Sequence, residues 1–343
     1  MELTYTKYRI NLKYPFGISR SSHNWYDLIF IFLKDGSIIG RGEAAPSLRY
    51  GESIDEIERI LKSKISLPDT YSSRTDLWNF IKPQLGQIKA LEAAFSMAIW
   101  DWWGQKKNKP VHQLLNIKGT DLPATSFTIA IGNINEIEQK LDESREYLIL
   151  KVKLGTPHMD KEIITEIRRH TDKPIRVDAN EGWDLKTAFE MSKWLADRNV
   201  EFIEQPFPAQ KIDQTKILKK KSPLDIFADE NSINSSHISQ LHEIFDGINI
   251  KLMKCGSLEE ACLMIDIARN YDMKIMLGCM VESSIGITAA SHIAGAVDFV
   301  DLDGNLLISN DPYKGVEVFM GHLKLNTFNG LGITKIQSNK NLI

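Results

Sequence analysis

The chain has 343 residues, 43% of them hydrophobic, and its 42 basic and 45 acidic residues leave a formal net charge of −3. That length supports one large domain or two, and so even a charge balance gives no electrostatic footprint for a polyanion, whether nucleic acid or an anionic membrane surface. Three cysteines, Cys255, Cys262 and Cys279, with no CxxC pair, argue against a disulfide framework, a thiolate zinc site and a dithiol redox motif, and fit a reducing, cytoplasmic setting.

At the amino terminus, residues 1–7 are polar and lack the apolar core of a signal peptide, so export is not expected. Thr4–Leu12 and Leu28–Leu33 read as strands, Lys34-Asp35-Gly36-Ser37 as a turn, and helices start at Asp55 and Ile88. These elements predict a separate α+β domain over residues 1–118. The stretch Ala90–Trp103 is rich in Ala and Trp, as suits a helix packed between two layers.

From Ser126 onward, short apolar runs alternate with segments of helical period, the signature of βα units around a parallel sheet. The runs are Phe127–Ile131, Tyr147–Leu154, Ile175–Asp178, Phe202–Glu204, Ile226–Asp229, Ile248–Leu252, Ile275–Met280 and Phe299–Asp303. Several are continuously apolar, as strands covered on both faces should be. Polar residues interrupt their ends at Lys153, Asp178, Glu204, Asp229, Lys251, Cys279 and Asp301, about 25 residues apart, the length of a strand, loop, helix and return loop in a compact barrel. Eight evenly spaced units favour closure over an open doubly wound sheet. Asp160–His170, Leu185–Arg198 and Leu258–Asn270 carry amphipathic helical spacing. The longest uncharged stretch, Ser283–Val297, is too short to span a bilayer. No room remains after Asp303 for an eighth helix before the β-like stretch Val316–Leu325, so the α/β part closes as a (β/α)7β barrel over residues 119–315.

In such a barrel, polar residues at strand carboxyl ends converge on one mouth. Asp178, Glu204 and Asp229 end three consecutive strands. Taken singly, each is most simply a helix cap or a salt-bridge partner. Three carboxylates in register repel one another unless a cation lies among them, and all-oxygen ligands favour Mg2+, or another hard divalent ion such as Mn2+. Lys151 and Lys153 flank this trio on one strand, on the same face because side chains alternate, and Lys251 ends the strand after Asp229. Two lysines sharing a face make each other's charge more costly, which lowers a pKa toward the range of a general base. Lys254 reads as a loop charge.

Lys151-Val152-Lys153, Asp178-Ala179-Asn180, Glu204-Gln205-Pro206, Ala228-Asp229-Glu230 and Asn249-Ile250-Lys251 resemble the ordered motifs of the muconate-lactonizing subgroup of the enolase superfamily, along the whole chain. The resemblance implies a (β/α)7β modified TIM barrel under an α+β capping domain completed by the tail, residues 316–343. It also implies that Asp178, Glu204 and Asp229 hold Mg2+ and that the ion binds a substrate carboxylate. A lysine then removes the α-proton to leave a metal-stabilised enolate. With one lysine on each face a proton leaves one side and returns on the other, giving epimerisation; elimination or cycloisomerisation needs only one. The resemblance implies that Lys153 and Lys251 are that pair, with Lys151 tuning Lys153 and touching the substrate carboxylate.

Asp301-Leu302-Asp303 presents two carboxylates on one face that want a positive partner. Within the subgroup this Asp-x-Asp is similar to that of the dipeptide epimerases, where it takes the substrate's α-ammonium; by the same similarity Thr128 and Cys279 line the dipeptide pocket. Pro15-Phe16-Gly17-Ile18-Ser19-Arg20 and Arg49-Tyr50-Gly51-Glu52-Ser53 look like the two loops that reach over the barrel in L-Ala-D/L-Glu epimerases, with Arg20 a candidate partner for a side-chain carboxylate. The resulting expectation is a Mg2+-dependent dipeptide epimerase acting first on L-Ala-D/L-Glu from peptidoglycan peptides, and a homo-oligomer. The alternatives are another dipeptide specificity, hydrophobic or cationic, and a lyase or cycloisomerase like o-succinylbenzoate synthase or muconate cycloisomerase. The Asp301/Asp303 pair disfavours the last two, whose substrates carry no ammonium group. A non-catalytic barrel that binds a metal or dipeptide would not need both lysines.

Overall fold

The computed structural model describes residues 1–18 and 21–336. The chain begins with an antiparallel sheet of three strands, β1 (Glu2–Ile18), β2 (Ser21–Asp35) and β3 (Ile38–Ala44), in that order. Three longer helices follow, α1 (Ile54–Lys62), α2 (Arg74–Ile81) and α3 (Lys89–Lys107), with a single turn, α4 (Val111–Leu114). β1 and β2 run well beyond Thr4–Leu12 and Leu28–Leu33. The added ladder is largely solvent-exposed, so no apolar alternation marks it in the sequence. α2, which hydrophobic spacing does not reveal, is set by a capping box in which Ser73 and Asp76 satisfy each other's backbone N–H groups.

The second body is the barrel. Its units are β4 (Ser126–Ile129) and α5 (Ile137–Glu143), β5 (Ile149–Lys153) and α6 (Pro157–His170), β6 (Ile175–Asp178) and α7 (Leu185–Ala196), β7 (Val200–Glu204) and α8 (Ile212–Lys219). They continue with β8 (Asp225–Ala228) and α9 (Ser235–Leu241), β9 (Gly247–Ile250) with a single turn α10 (Leu252–Cys255) and α11 (Leu258–Asn270), β10 (Lys274–Gly278) and α12 (Ser284–Ser291), and β11 (Phe299–Asp301). These eight strands form one sheet in chain order, every neighbour parallel, and among the described residues no α-helix follows β11: the fold is (β/α)7β. α12 is buried along its whole length, which explains the uncharged run at Ser283–Val297. Among the described residues no helix is long and apolar enough to cross a membrane.

β11 meets β4 through a parallel bridge from Thr125 to Val300, and side chains complete the seam: Thr125 Oγ1 accepts from Leu302 N (2.9 Å) and Ser126 Oγ donates to Asp301 Oδ1 (2.5 Å). Below the mouth the barrel is filled by Phe202, Phe227 and Met276 against Phe299. Arg176 is buried among them, donating to Glu201 (2.7 Å) and to the Val300 carbonyl (2.7 Å). The interior is therefore a plugged core with a polar upper layer.

α3 joins the two bodies. Gly40 and Gly42 of β3 let it lie directly on the sheet, since a Cβ at either would fall 2.0 Å or less from the carbonyl oxygens of Ala98 and Ala94. On its other side, Ser96 Oγ and Trp100 Nε1 donate to Glu259 of α11, at 3.1 and 3.0 Å. This is the two-layer packing that the Ala- and Trp-rich stretch predicts. After β11 the chain returns to the first sheet, where Tyr313 packs edge-on against Phe30 and the Tyr8 hydroxyl donates to the Asn310 carbonyl (2.7 Å). The β-like stretch Val316–Leu325 is a hairpin of β13 (Glu317–Phe319) and β14 (His322–Lys324), flanked by the paired short strands β12 (Tyr313–Lys314) and β15 (Thr334–Lys335).

Two buried carboxyls sit where β3 meets the barrel. Glu43 accepts from Ser283 N (2.8 Å), Gly286 N (3.1 Å) and the Ser283 hydroxyl, yet burial pushes it up to about 7. Burial, then repulsion from Glu43, pushes Glu282 up to about 8. Both hold a proton more tightly folded than unfolded. Their stabilising contribution is full below their ordinary value of 4.5 and is lost as pH rises through 7 and 8. Glu282→Gln therefore raises the unfolding midpoint at about pH 8.5, by roughly 2–4 °C for each kcal/mol relieved, and leaves it nearly unchanged at about pH 5. Thermal melts at the two pH values check this.

Candidate active site

Every barrel strand delivers a polar side chain at or just past its carboxyl end. Registry sets them level: Lys153 pairs with Asp178, Asp178 with Glu204, and Thr128 with Lys151 along adjacent strands. Asp229 and Lys251 stand one residue past β8 and β9, Cys279 one past β10, and Asp301 ends β11 with Asp303 two residues on. Asp178, Glu204 and Asp229 are buried, and one carboxylate oxygen from each lies within 4.8 Å of the others.

The lysines thread between the carboxylates. Lys151 Nζ lies 2.7 Å from Glu204 Oε2, 2.7 Å from Asp301 Oδ2 and 3.4 Å from Asp178 Oδ2. Lys153 Nζ donates to Asp178 Oδ2 at 2.7 Å, and Lys251 Nζ to Asp229 Oδ2 at 2.8 Å. Burial pushes all these carboxyls up, and the neighbours decide the balance. Lys153 and Lys151 hold Asp178 below its ordinary range, and Lys251 and Lys254 hold Asp229 well below it, whereas Glu204, beside Asp178, stays raised. The fall expected from two like charges on one face is not seen at Lys151, and Lys251 across the mouth is raised as well. Burial lowers each, but Asp301 and Glu204 around Lys151, and Asp229 beside Lys251, more than reverse it.

A hard divalent cation fits the trio. The donors are all oxygens, and Glu204 Oε2 is a buried carboxylate oxygen that accepts no hydrogen bond, although Lys151 Nζ lies close. Its other oxygen is fixed by Asn249 Nδ2 at 2.6 Å, and Asp178 Oδ1 accepts from Asn180 N at 2.9 Å. Backbone follows the same demand: Asn180, Glu181 and Gln205, just past two of the carboxylates, have left-handed φ of 43°, 65° and 38°.

On the opposite arc, Asp301 is held below its ordinary range because Lys151, supported by Ser126, outweighs burial. Asp303 accepts from Thr128 N at 2.6 Å, while burial and repulsion from Asp301 push it up to about 7. Asp301 thus has its positive partner within the protein, and Asp303 has none of comparable strength. The Cys279 thiol donates to the Asp301 carbonyl (3.4 Å), and burial beside Glu282 raises it well above its ordinary value, so it is no nucleophile.

Above these groups opens a cavity of about 850 Å3 that reaches Thr128, Lys151, Lys153, Lys251, Cys279, Asp301 and Asp303 below and Phe16, Trp25, Tyr26 and the Leu48–Tyr50 turn above. Arg49 on that turn grips Glu181 with both guanidinium arms, at 2.7 and 3.0 Å, tying the first body's loop to the barrel rim. Arg20 lies outside the described residues. The structure therefore gathers ten of the eleven residues singled out in the sequence. Sequence reasoning missed Asn249, Ser126 and Lys254; alternation with Lys251 was available for Asn249, which shares its face.

Residues 135–337 match the family described as enolase C-terminal domain-like, and residues 1–116 match the mandelate racemase / muconate lactonizing enzyme N-terminal domain. The chain is 37% identical, over 98% of its length and 88% of the other's, to an L-Ala-D/L-Glu epimerase of Bacteroides thetaiotaomicron. It is 35% identical to a hydrophobic dipeptide epimerase of a Flavobacteria bacterium, each chain covered to 94%. Its fold matches a dipeptide epimerase from Methylococcus capsulatus, solved with Mg and L-Arg-D-Lys, at a TM-score of 0.90 and 27% identity over 97% of this chain and 99% of the other.

Proposed function

The chain belongs to the mandelate racemase / muconate lactonizing enzyme family of the enolase superfamily, and from that premise we propose that it is a Mg2+-dependent dipeptide epimerase, with L-Ala-D/L-Glu its leading substrate. One observation carries the reading. Around the eight-stranded mouth, Lys153 on the second strand and Lys251 after the sixth stand half a circumference apart. The three metal-type carboxylates fill the arc between them on one side, and Cys279, Asp301, Asp303 and Thr128 fill the other.

A dipeptide spans that layout with its carboxylate toward Asp178, Glu204 and Asp229, its ammonium toward Asp301 and Asp303, and the α-carbon of its second residue between the lysines. Mg2+, when bound, supplies Lewis-acid charge to a substrate carboxylate oxygen and makes the α-proton more acidic. Lys153 or Lys251 takes that proton from one face, and the other returns one to the opposite face, inverting the centre. Lys151 sits among the carboxylates and meets the substrate carboxylate. Arg20 is the proposed partner of an acidic substrate side chain, Thr128 and Cys279 line the dipeptide's path, and Mn2+ would serve in place of Mg2+.

We place the division of the chain at residues 118/119, with the tail from 316 completing the cap. A cytoplasmic setting and a homo-oligomer belong to the same reading; among the described residues the three cysteines are free. Proton NMR in D2O with Mg2+ tests the function. Loss of the α-proton signal of the second residue of L-Ala-L-Glu, with a second diastereomer appearing, is the expected result. Exchange only with hydrophobic or cationic dipeptides moves the specificity, and no exchange with any dipeptide moves the reading to a lyase.

The ammonium role has its own test. Asp301→Asn should raise KM for the dipeptide by about tenfold or more, as expected when a buried charged hydrogen bond is lost, and change Mg2+ affinity much less. Kinetics and calorimetry on one preparation compare the two; an unchanged KM removes the ammonium role.

A further inference from the structure

Lys254 has no part in the chemistry above, and in sequence it looks like an ordinary loop charge. The structure buries its side chain completely. Its Nζ donates to Asp229 Oδ1 (2.6 Å), to the Asp229 carbonyl (2.6 Å) and to the Asn249 carbonyl (2.9 Å), which uses all three ammonium hydrogens. The single turn α10 makes this possible. It ends at Gly256, whose left-handed φ of 89° and N–H bond to the Leu252 carbonyl reverse the chain at once, leaving Lys254 tucked under the ends of β8 and β9. Burial lowers the Lys254 ammonium's pKa, and Asp229 opposes that.

The consequence is one-sided. Asp229 is gripped at Oδ1 and at its carbonyl by Lys254, and at its N–H by Gln205 Oε1 (2.9 Å), which leaves its Oδ2 to face the mouth, where it meets Lys251 Nζ at 2.8 Å. The other half of the mouth is built differently. There Asp178 turns Oδ2 toward Lys153 (2.7 Å) and, farther off, Lys151 (3.4 Å), and its Oδ1 is held by the backbone N–H of Asn180, with no cation fixing that second oxygen as Lys254 fixes Asp229 Oδ1. A residue that steadies only the Asp229–Lys251 side acts on only one face of the substrate.

We propose that Lys254 is a positioning residue: it fixes the Asp229 carboxylate and, through it, aims Lys251 at its face of the substrate α-carbon, leaving the Lys153 face to its own supports. This rests on the two-lysine reading. Neighbours of metal ligands commonly cost 10–100-fold when removed, which sets the scale of the effect.

The test uses the full chain carrying Lys254→Met, which keeps the length and removes the charge and donors, with Lys254→Arg beside it. Initial rates of α-proton exchange into D2O are followed separately from each epimer at saturating Mg2+, and Mg2+ affinity of the metal-free protein is measured by calorimetry. Lys254→Met should slow exchange from one epimer at least tenfold while the other stays within about threefold, and should weaken Mg2+ binding about tenfold. Lys254→Arg should recover part of the lost exchange on the same epimer. Equal slowing of both epimers, or no change in either, overturns the proposal. If Lys254→Met does not fold, the asymmetry must appear in Lys254→Arg, and its absence there overturns it. Failure of the unmodified protein to exchange either epimer would instead remove the two-lysine reading itself.

Discussion

Lys153→Ala and Lys251→Ala should each lower epimerisation by roughly 10²–10⁴-fold, the range a positioned acid or base contributes, while leaving the fold intact. The two variants should not be equivalent. Each retains the lysine of one face, so each should still wash the α-proton out of one epimer into D2O without forming the other. The epimer that exchanges should switch between the variants. Kinetics by polarimetry together with exchange by NMR check this; full activity in either variant excludes two bases. The losses should not be read as stability effects. Each truncation removes one cation from a buried carboxylate that keeps a second, Lys151 at Asp178 and Lys254 at Asp229, and thermal melts accompany the rates to show that the fold holds.

Glu204→Gln should separate metal binding from stability by moving them in opposite directions. Glu204 stands in the middle of the carboxylate arc, one oxygen held by Asn249 and the other, Oε2, accepting no hydrogen bond. The amide offers the metal one fewer charge, and Mg2+ affinity should fall by about 10²-fold or more, above the scale for an outer-shell partner. The metal-free protein should gain stability instead. Burial, then repulsion from Asp178, raises the Glu204 carboxyl, so its ionised form works against the fold: its contribution is full below the ordinary glutamate range and lost as pH rises above it. The melting temperature of the metal-free variant should therefore exceed that of the parent at about pH 8, with calorimetry showing the lost Mg2+ affinity. Chelation by EDTA should abolish activity in the parent, and added Mg2+ should restore it.

The barrel was legible in the sequence because its strands are buried on both faces and end in polar residues at an even interval. Lys153, Asp178, Glu204 and Asp301 could be placed at the mouth from that interval alone. What the interval does not carry is how charges pair once they meet. Lys151 and Lys153 share a face, as alternation requires, but the neighbours that matter for Lys151 are Glu204 and Asp301, from strands far off in sequence. At Lys151 the expected fall is reversed for that reason. Lys254 was misread because a four-residue turn, too short to show a period, folds it back into the core. The third strand of the first sheet was hidden by Gly40 and Gly42. Glycine is a poor strand former, and its use there answers to α3 rather than to the sheet.

That close seating of α3 restricts how a substrate can reach the mouth. A helix wedged against β3 on one side and hydrogen-bonded through Ser96 and Trp100 to α11 on the other cannot act as a hinge without breaking both packings. The first body and the barrel should melt together, in one transition. Access to the cavity then depends on small pieces of the rim, above all the Leu48–Tyr50 turn with its Arg49 clasp on Glu181, rather than on rotation of one body over the other. Motions of that size run on nanosecond to microsecond times, so opening should be fast compared with the proton transfers it admits.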